Sequence, residues 1–217
     1  MKGLLIKDFK LIKTQKLFIV IITAICGYLL AIGKMEFAMI YSAIIFSMLV
    51  VSTVNYDDQD NGMGYLFTLP VSRKGYVLEK YVFGILLMGL ALTAGSILLA
   101  IISIVKSAAY TSEDLFGAVW SFWVTGSFIL SATLPFQIKY GAEKGRIALA
   151  ITILCVGVAG YVIQEAVKAF DIDISAFAEP LLHTSAIQTA VLLTVLIVVM
   201  LGISYLISVS FMKKRQF

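Results

Sequence analysis

Six apolar stretches, none containing Asp, Glu, Lys, Arg or His, limit what this chain can fold into: Leu17 to Gly33, Phe37 to Val54, Val82 to Val105, Leu115 to Phe136, Ile147 to Ile163 and Ile187 to Phe211. A helix needs about 20 mostly apolar residues to cross a hydrocarbon core of about 30 Å. Only segments whose backbone hydrogen bonds close internally survive there. The stretches therefore predict an all-α, polytopic membrane protein with six transmembrane helices. Composition agrees, since 60% hydrophobic and 14% charged residues lie outside the range of soluble domains. The polar remainder is too short for a soluble domain, so residues 1–217 are expected to form one membrane domain.

Orientation follows from the basic residues, because loops rich in Lys and Arg are retained in the cytoplasm. Fourteen of the 17 lie on one side: five in Met1 to Lys16, then Arg73, Lys74, Lys80, Lys139, Lys144, Arg146, Lys213, Lys214 and Arg215. Lys34, Lys106 and Lys168 occupy the other. Both termini are thus predicted to be cytoplasmic, and the net charge of +4 reports topology rather than a nucleic-acid partner. Residues 1–16 read as an interfacial helix, with Met1, Leu4, Leu5, Leu11 and Ile12 on one face and five lysines around the other. Asp8 falls within that apolar face. A cleaved signal peptide fits less well, since the leading segment is long and cleavage would upset the charge asymmetry.

Little in the chain can carry covalent chemistry. Cys26 and Cys155 lie inside apolar stretches, where a small apolar core role is the default. His183, the one histidine, lies outside them, and no phosphate-binding G-x-x-x-x-G-K-[ST] loop occurs. The chain is expected to be no enzyme and to bind no metal or cofactor itself. Carriers driven by ion gradients keep ionisable residues at membrane depth, and the six stretches have none. Small residues such as Gly84, Gly89, Ala91 and Gly95 suit close helix packing. The second stretch is the most polar-flecked of the early ones, and Tyr41, Ser42, Ser47, Ser52 and Thr53 are its candidates for lining a translocation path.

One hydrophilic island, Asn55 to Tyr81, mixes acids, aromatics and cations between two spans. Met63, Tyr65, Leu66, Phe67 and Leu69 are too apolar for a free loop and predict a short docking helix. Pro70 would stop it by restricting the preceding residue, and Ser72 would cap the third span. Arg73, Lys74 and Lys80 are expected near phospholipid headgroups. On the opposite side the longest segment, Gln164 to Ala186, places apolar residues between acids and is interrupted by Pro180.

The run Asp60-Asn61-Gly62, Leu66, Thr68-Leu69-Pro70-Val71-Ser72-Arg73, Tyr76-Val77 and Lys80-Tyr81 resembles the loop between the second and third spans of bacterial type-2 ABC exporter permeases. Pro135 followed by Tyr140-Gly141-x-x-Lys144-x-Arg146 is a second match. Within that family the chain is most similar to the small six-span group that includes phenol-soluble-modulin exporter permeases.

The resemblance implies a permease in a bacterial plasma membrane, paired with a second copy or a close relative over two ABC ATPase subunits, which bind the ATP and Mg. It makes Met63, Tyr65, Leu66, Phe67, Leu69, Pro70 and Arg73 a cytoplasmic coupling helix and its flank, docking on the ATPase. It also makes the 164–186 segment, with Phe170, Phe177 and Pro180, an extracellular gate. By analogy the cargo is an amphipathic peptide, ahead of lipids or small hydrophobic drugs. A non-transport scaffold or an immunity protein that binds a toxic peptide would show the same spans, and a secondary carrier is disfavoured by the missing buried charges.

Overall fold

The structure, a computed structural model, describes residues 2–59, 62–106, 110–169 and 186–215. Among the described residues seven helices follow one another: α1 (Lys2–Thr14), α2 (Lys16–Ala31), α3 (Met35–Asp58), α4 (Gly62–Leu66), α5 (Arg73–Lys106), α6 (Ser112–Ala169) and α7 (Ala186–Lys214). No strand occurs among the described residues.

Among the described residues four helices are long and apolar enough to cross a membrane: α3, α5, α7 and the Ser112–Gly141 part of α6. α1 and α2 meet at a 72° bend and count as one more if taken together. α2 covers most of the first apolar stretch, but its 16 residues rise only about 24 Å, short of the hydrocarbon core. α5 errs the other way. Its 34 residues rise about 51 Å, so its ends project beyond the apolar Val82 to Val105 stretch.

The segment from Gln137 to Arg146, which separates the fourth and fifth apolar stretches and carries three basic residues, is no loop but helical on both sides of a break at Gly141. There φ is 79° and ψ is −172°, a conformation a side-chain-bearing residue rarely adopts. A Cβ at this position would also meet the Asp58 carboxylate at 2.5 Å. Helical backbone continues beyond the break through Ile147 to Ile163.

α3 is the hub, packed against α2, α5 and α6, while α6 also packs against α7. Ala43, Val50 and Val54 of α3 are buried with Phe83 and Met88 of α5 and with Phe122, Leu130 and Leu134 of α6. Small residues set the approach, since a Cβ on Gly84 would stand 2.9 Å from a Leu130 methyl. This is the close packing expected of helices in lipid, where apolar surface alone does not drive association.

Two outer helices attach along seams of the same spacing. α1 buries Leu4, Asp8 and Ile12, and α7 buries Ser204, Ser208 and Met212. Residues four apart line one helix face, so each seam is a single stripe. In α7 the stripe is hydroxylic, and the Tyr81 hydroxyl bonds Ser204 Oγ at 2.6 Å and Ser208 Oγ at 2.9 Å. Ser204 Oγ also donates to the Ser131 carbonyl at 2.6 Å. Pro135 sits inside α6 four residues later and lacks the N–H that would bond that carbonyl, so Ser204 supplies the missing donor. Another face of α7, including Val191, Val195, Val198 and Leu206, is exposed apolar surface suited to lipid.

Candidate functional site

The island is shorter than its sequence suggested. Residues 55–58 close α3 and 73–81 open α5, leaving 59–72 as the connection, with α4 inside it. The Ser72 cap forms as expected, whereas α4 ends at Leu66, short of the residue that Pro70 restricts. Ser72 Oγ accepts the Gly75 N–H at 3.0 Å and so satisfies one of the free donors at the start of α5. After α4 the chain turns and passes through exposed Pro70.

The seven residues expected to dock on a partner divide into two groups. Met63 and Leu66, 1% and 8% exposed, are buried in the chain's own core. Phe67 packs edge-on against Tyr76 at 5.9 Å, beneath the Arg73 guanidinium at 6.0 Å. Arg73 also donates to the Met212 and Lys213 carbonyls at 3.3 and 2.7 Å, where the last turn of α7 has carbonyls to satisfy. Tyr65 and Leu69, 73% and 48% exposed, face outward with Pro70. The outward group is therefore small: an aromatic, a leucine and a proline on a connection held from within.

What holds it is a buried charge cluster joining α1, α3 and α5. The Lys80 ammonium, expected among headgroups, is fully buried; it donates to Asp8 Oδ2 and, at 3.1 Å, to Thr53 Oγ1, and it lies 2.9 Å from Asp57 Oδ2. Lys7 Nζ pairs with Asp57 Oδ1 and lies 3.3 Å from Asp8 Oδ1. The Tyr76 hydroxyl donates to Asp57 Oδ2 at 2.9 Å, and its ring faces Lys80 Nζ at 5.2 Å. Asp8, which interrupts the apolar face of α1, is thus the polar contact of that seam. The face packs on protein, on α3 and α5. These charges lie outside the apolar stretches Phe37 to Val54 and Val82 to Val105, on the projecting helix ends. Among the described residues no group of His, Cys, Asp and Glu is arranged to hold a metal ion.

A second tie uses the tail beyond α7. Arg215 pairs with Asp58 through Nη2 and Oδ1 at 2.5 Å and donates from Nη1 to the Ile138 carbonyl at 3.0 Å. Carbonyls just before a helix break lose partners in the next turn, and Arg215 supplies one at the Gly141 kink. Gln137 donates through Nε2 to Asn55 Oδ1 alongside. Between them the two stems of the connection are thus tied to α1, to α6 and to the C-terminal end of α7.

The five candidates for a translocation path do not share a face. Successive residues turn 100° around a helix, which sets Tyr41 and Ser52 on one side, Ser42 and Thr53 on another and Ser47 apart. Ser42, Ser47 and Thr53 are buried and bond carbonyls of their own helix at 2.7 to 2.8 Å. Thr53 faces the charge cluster. Only Ser52 lines the open cavity of about 780 Å³ at the α1–α2 bend. Gln15, Phe18, Met48 and Tyr56 line it as well, with Ala150 from α6 on the far wall. Gln15 Nε2 and the Tyr56 hydroxyl lie 3.4 Å apart within it. Its lining is mostly apolar with a few polar groups, the usual character of a site for an organic ligand.

Phe170, Phe177 and Pro180, the expected gate, lie outside the described residues, as does His183. Sequence reasoning missed Asp57, Glu79, Lys80 and Arg215 as structural residues. One signal was present: an acid inside an apolar helical face calls for a buried cation, and Lys80 stands at the edge of an apolar stretch.

A family model described as ABC-2 family transporter protein matches residues 3–213. No curated protein and no solved structure matches the chain.

Proposed function

Because the chain belongs to the ABC-2 family of transporter proteins and so has a permease role in ABC transport, we propose that it is the membrane subunit of an ATP-driven bacterial exporter of amphipathic peptides. In this reading it crosses the plasma membrane six times with both termini inside. α1–α2 gives the first crossing and the two arms of α6 give the fourth and fifth. Two copies, or one copy and a relative, enclose the path, and two separate ATPase chains bind ATP and Mg beneath them.

The observation that carries the proposal is the α3–α5 connection. A short helix has its inner residues buried, its stems fixed by ion pairs, and Tyr65, Leu69 and Pro70 presented outward. A rigid mount with a small exposed apolar tip suits the transmission of force better than a solvated loop would. The cavity at the α1–α2 bend, with Ser52 in its wall, is the place where an amphipathic chain would first meet the permease.

Tyr65 is the residue to change. Leu66 is buried, so a charge there would disturb the chain itself, whereas Tyr65 has little internal packing to lose. Large aromatic anchors dominate many protein contacts, and a charge at one removes about 2 kcal/mol or more. Tyr65→Asp should insert normally yet lose at least about tenfold in affinity for the ATPase in a pull-down from detergent. Unchanged capture of the ATPase by this variant would contradict the assignment.

A further inference from the structure

The charge cluster has an imbalance that its ion pairs do not resolve. Two ammonium groups, Lys7 and Lys80, face three carboxyls, those of Asp8, Asp57 and Glu79. Glu79 and Asp8 are fully buried, and both Glu79 oxygens and Asp8 Oδ1 lack a hydrogen-bond partner. The nearest cation to Glu79 is Lys80, 3.8 Å away. An ammonium has three donors. Those of Lys80 are taken by the Asp8 and Asp57 carboxylates and the Thr53 hydroxyl. Lys7 is engaged by Asp57 and stands beside Asp8. The titratable and charged groups packed around Glu79 are therefore Lys7 and Asp8 from α1, Asp57 from α3, and Tyr76 and Lys80 from α5. None of them donates a hydrogen bond to it.

An unpaired carboxylate withdrawn from water is among the most costly groups to bury, and adjacent carboxylates seldom both ionise. A single proton removes the difficulty. On Glu79 it turns an acceptor into a donor and removes the repulsion from the Asp8 carboxylate, which acts on Glu79 from α1. It also brings the cluster to two positive and two negative charges.

We propose that this cluster is a proton-binding site, in which one proton carried by Glu79 at neutral pH allows α1 to seat on α5. Removing the proton leaves two carboxylates face to face across the α1–α5 contact and drives the helices apart. The site lies between the stems of the α3–α5 connection. On the reading of that connection as the ATPase dock, the seat ties force transmission to cytoplasmic pH.

The test is infrared spectroscopy of the purified full chain in lipid nanodiscs, with deuterium exchange to identify protonated carboxyls. At neutral pH the unaltered protein should show a protonated-carboxyl C=O band that is lost on alkalinisation. Glu79→Gln should lack it, while Glu36→Gln, at an exposed position, should keep it. Asp8→Asn provides a second route if Glu79→Gln does not fold. Removing that charge lets Glu79 ionise beside Lys80, so the band should again vanish at neutral pH. No band in the unaltered protein, or a band that survives either cluster substitution, would overturn the proposal. The measurement needs no ATPase, so a failure of the exporter reading would leave its outcome unchanged.

Discussion

α1 and α7 are attached by seams of the same geometry made of different materials. Leu4, Asp8 and Ile12 on one helix, and Ser204, Ser208 and Met212 on the other, recur every fourth residue. The polar member of the α1 seam is a fully buried carboxylate on Lys80, whereas those of the α7 seam are hydroxyls meeting Tyr81 and the Ser131 carbonyl. The difference follows their surroundings. α7 runs along apolar helices, where a hydroxyl can fall back on its own helix's carbonyls. α1 lies at the loop end, where charges from three helices converge and each depends on the others. A hydroxyl seam should give way gradually and a charge seam abruptly.

Breaking the charge seam should therefore have the largest effect. Removing one partner of a buried pair typically costs about 3 to 5 kcal/mol, because the other is left uncompensated. Lys80→Met, which leaves Asp8, Asp57 and Glu79 with Lys7 alone, should lower the thermal unfolding midpoint of the purified chain substantially. Lys80→Met combined with Asp8→Leu, which also removes one of the carboxylates left facing each other, should recover part of the loss. No recovery in the double variant would mean that Asp8 acts by packing rather than by charge.

The hydroxyl seam should respond less, and unequally. Ser204→Ala leaves the carbonyl orphaned by Pro135 without its donor, so its cost should approach the upper end seen for membrane hydrogen bonds, about 1.7 kcal/mol. Ser208→Ala removes one of the two serine contacts of Tyr81 and should cost about 0.6 kcal/mol, near the average. Both can be read from the same unfolding midpoint. Equal costs would remove Pro135 from the explanation.

The features legible in the sequence were those set by local chemistry. The apolar stretches, the Ser72 cap and the turn at Pro70 depend on neighbours a few residues away. The charge cluster was not legible, because Asp8 and Lys80 are separated by 72 positions and only the packing of α1 across α3 and α5 brings them together. For the same reason Met63 and Leu66 could not be told from Tyr65 and Leu69. All four are apolar or aromatic, and burial is decided by which way α4 lies on the core. The Gly141 kink was not legible either, because its polar neighbours resemble a loop. The ties from Asp58 and Arg215 that hold the helix through the bend come from distant parts of the chain.

The central claim is that energy enters through the connection on this rigid mount rather than through ionisable groups within the apolar stretches. Its most direct test is transport by lipid vesicles containing the permease and its ATPase, supplied with a fluorescent amphipathic peptide. Peptide should move when ATP is present on the ATPase side and should continue to move after the transmembrane proton gradient is collapsed at constant pH. It should stop with Tyr65→Asp. Movement that requires the gradient and persists with a hydrolysis-dead ATPase would contradict the account.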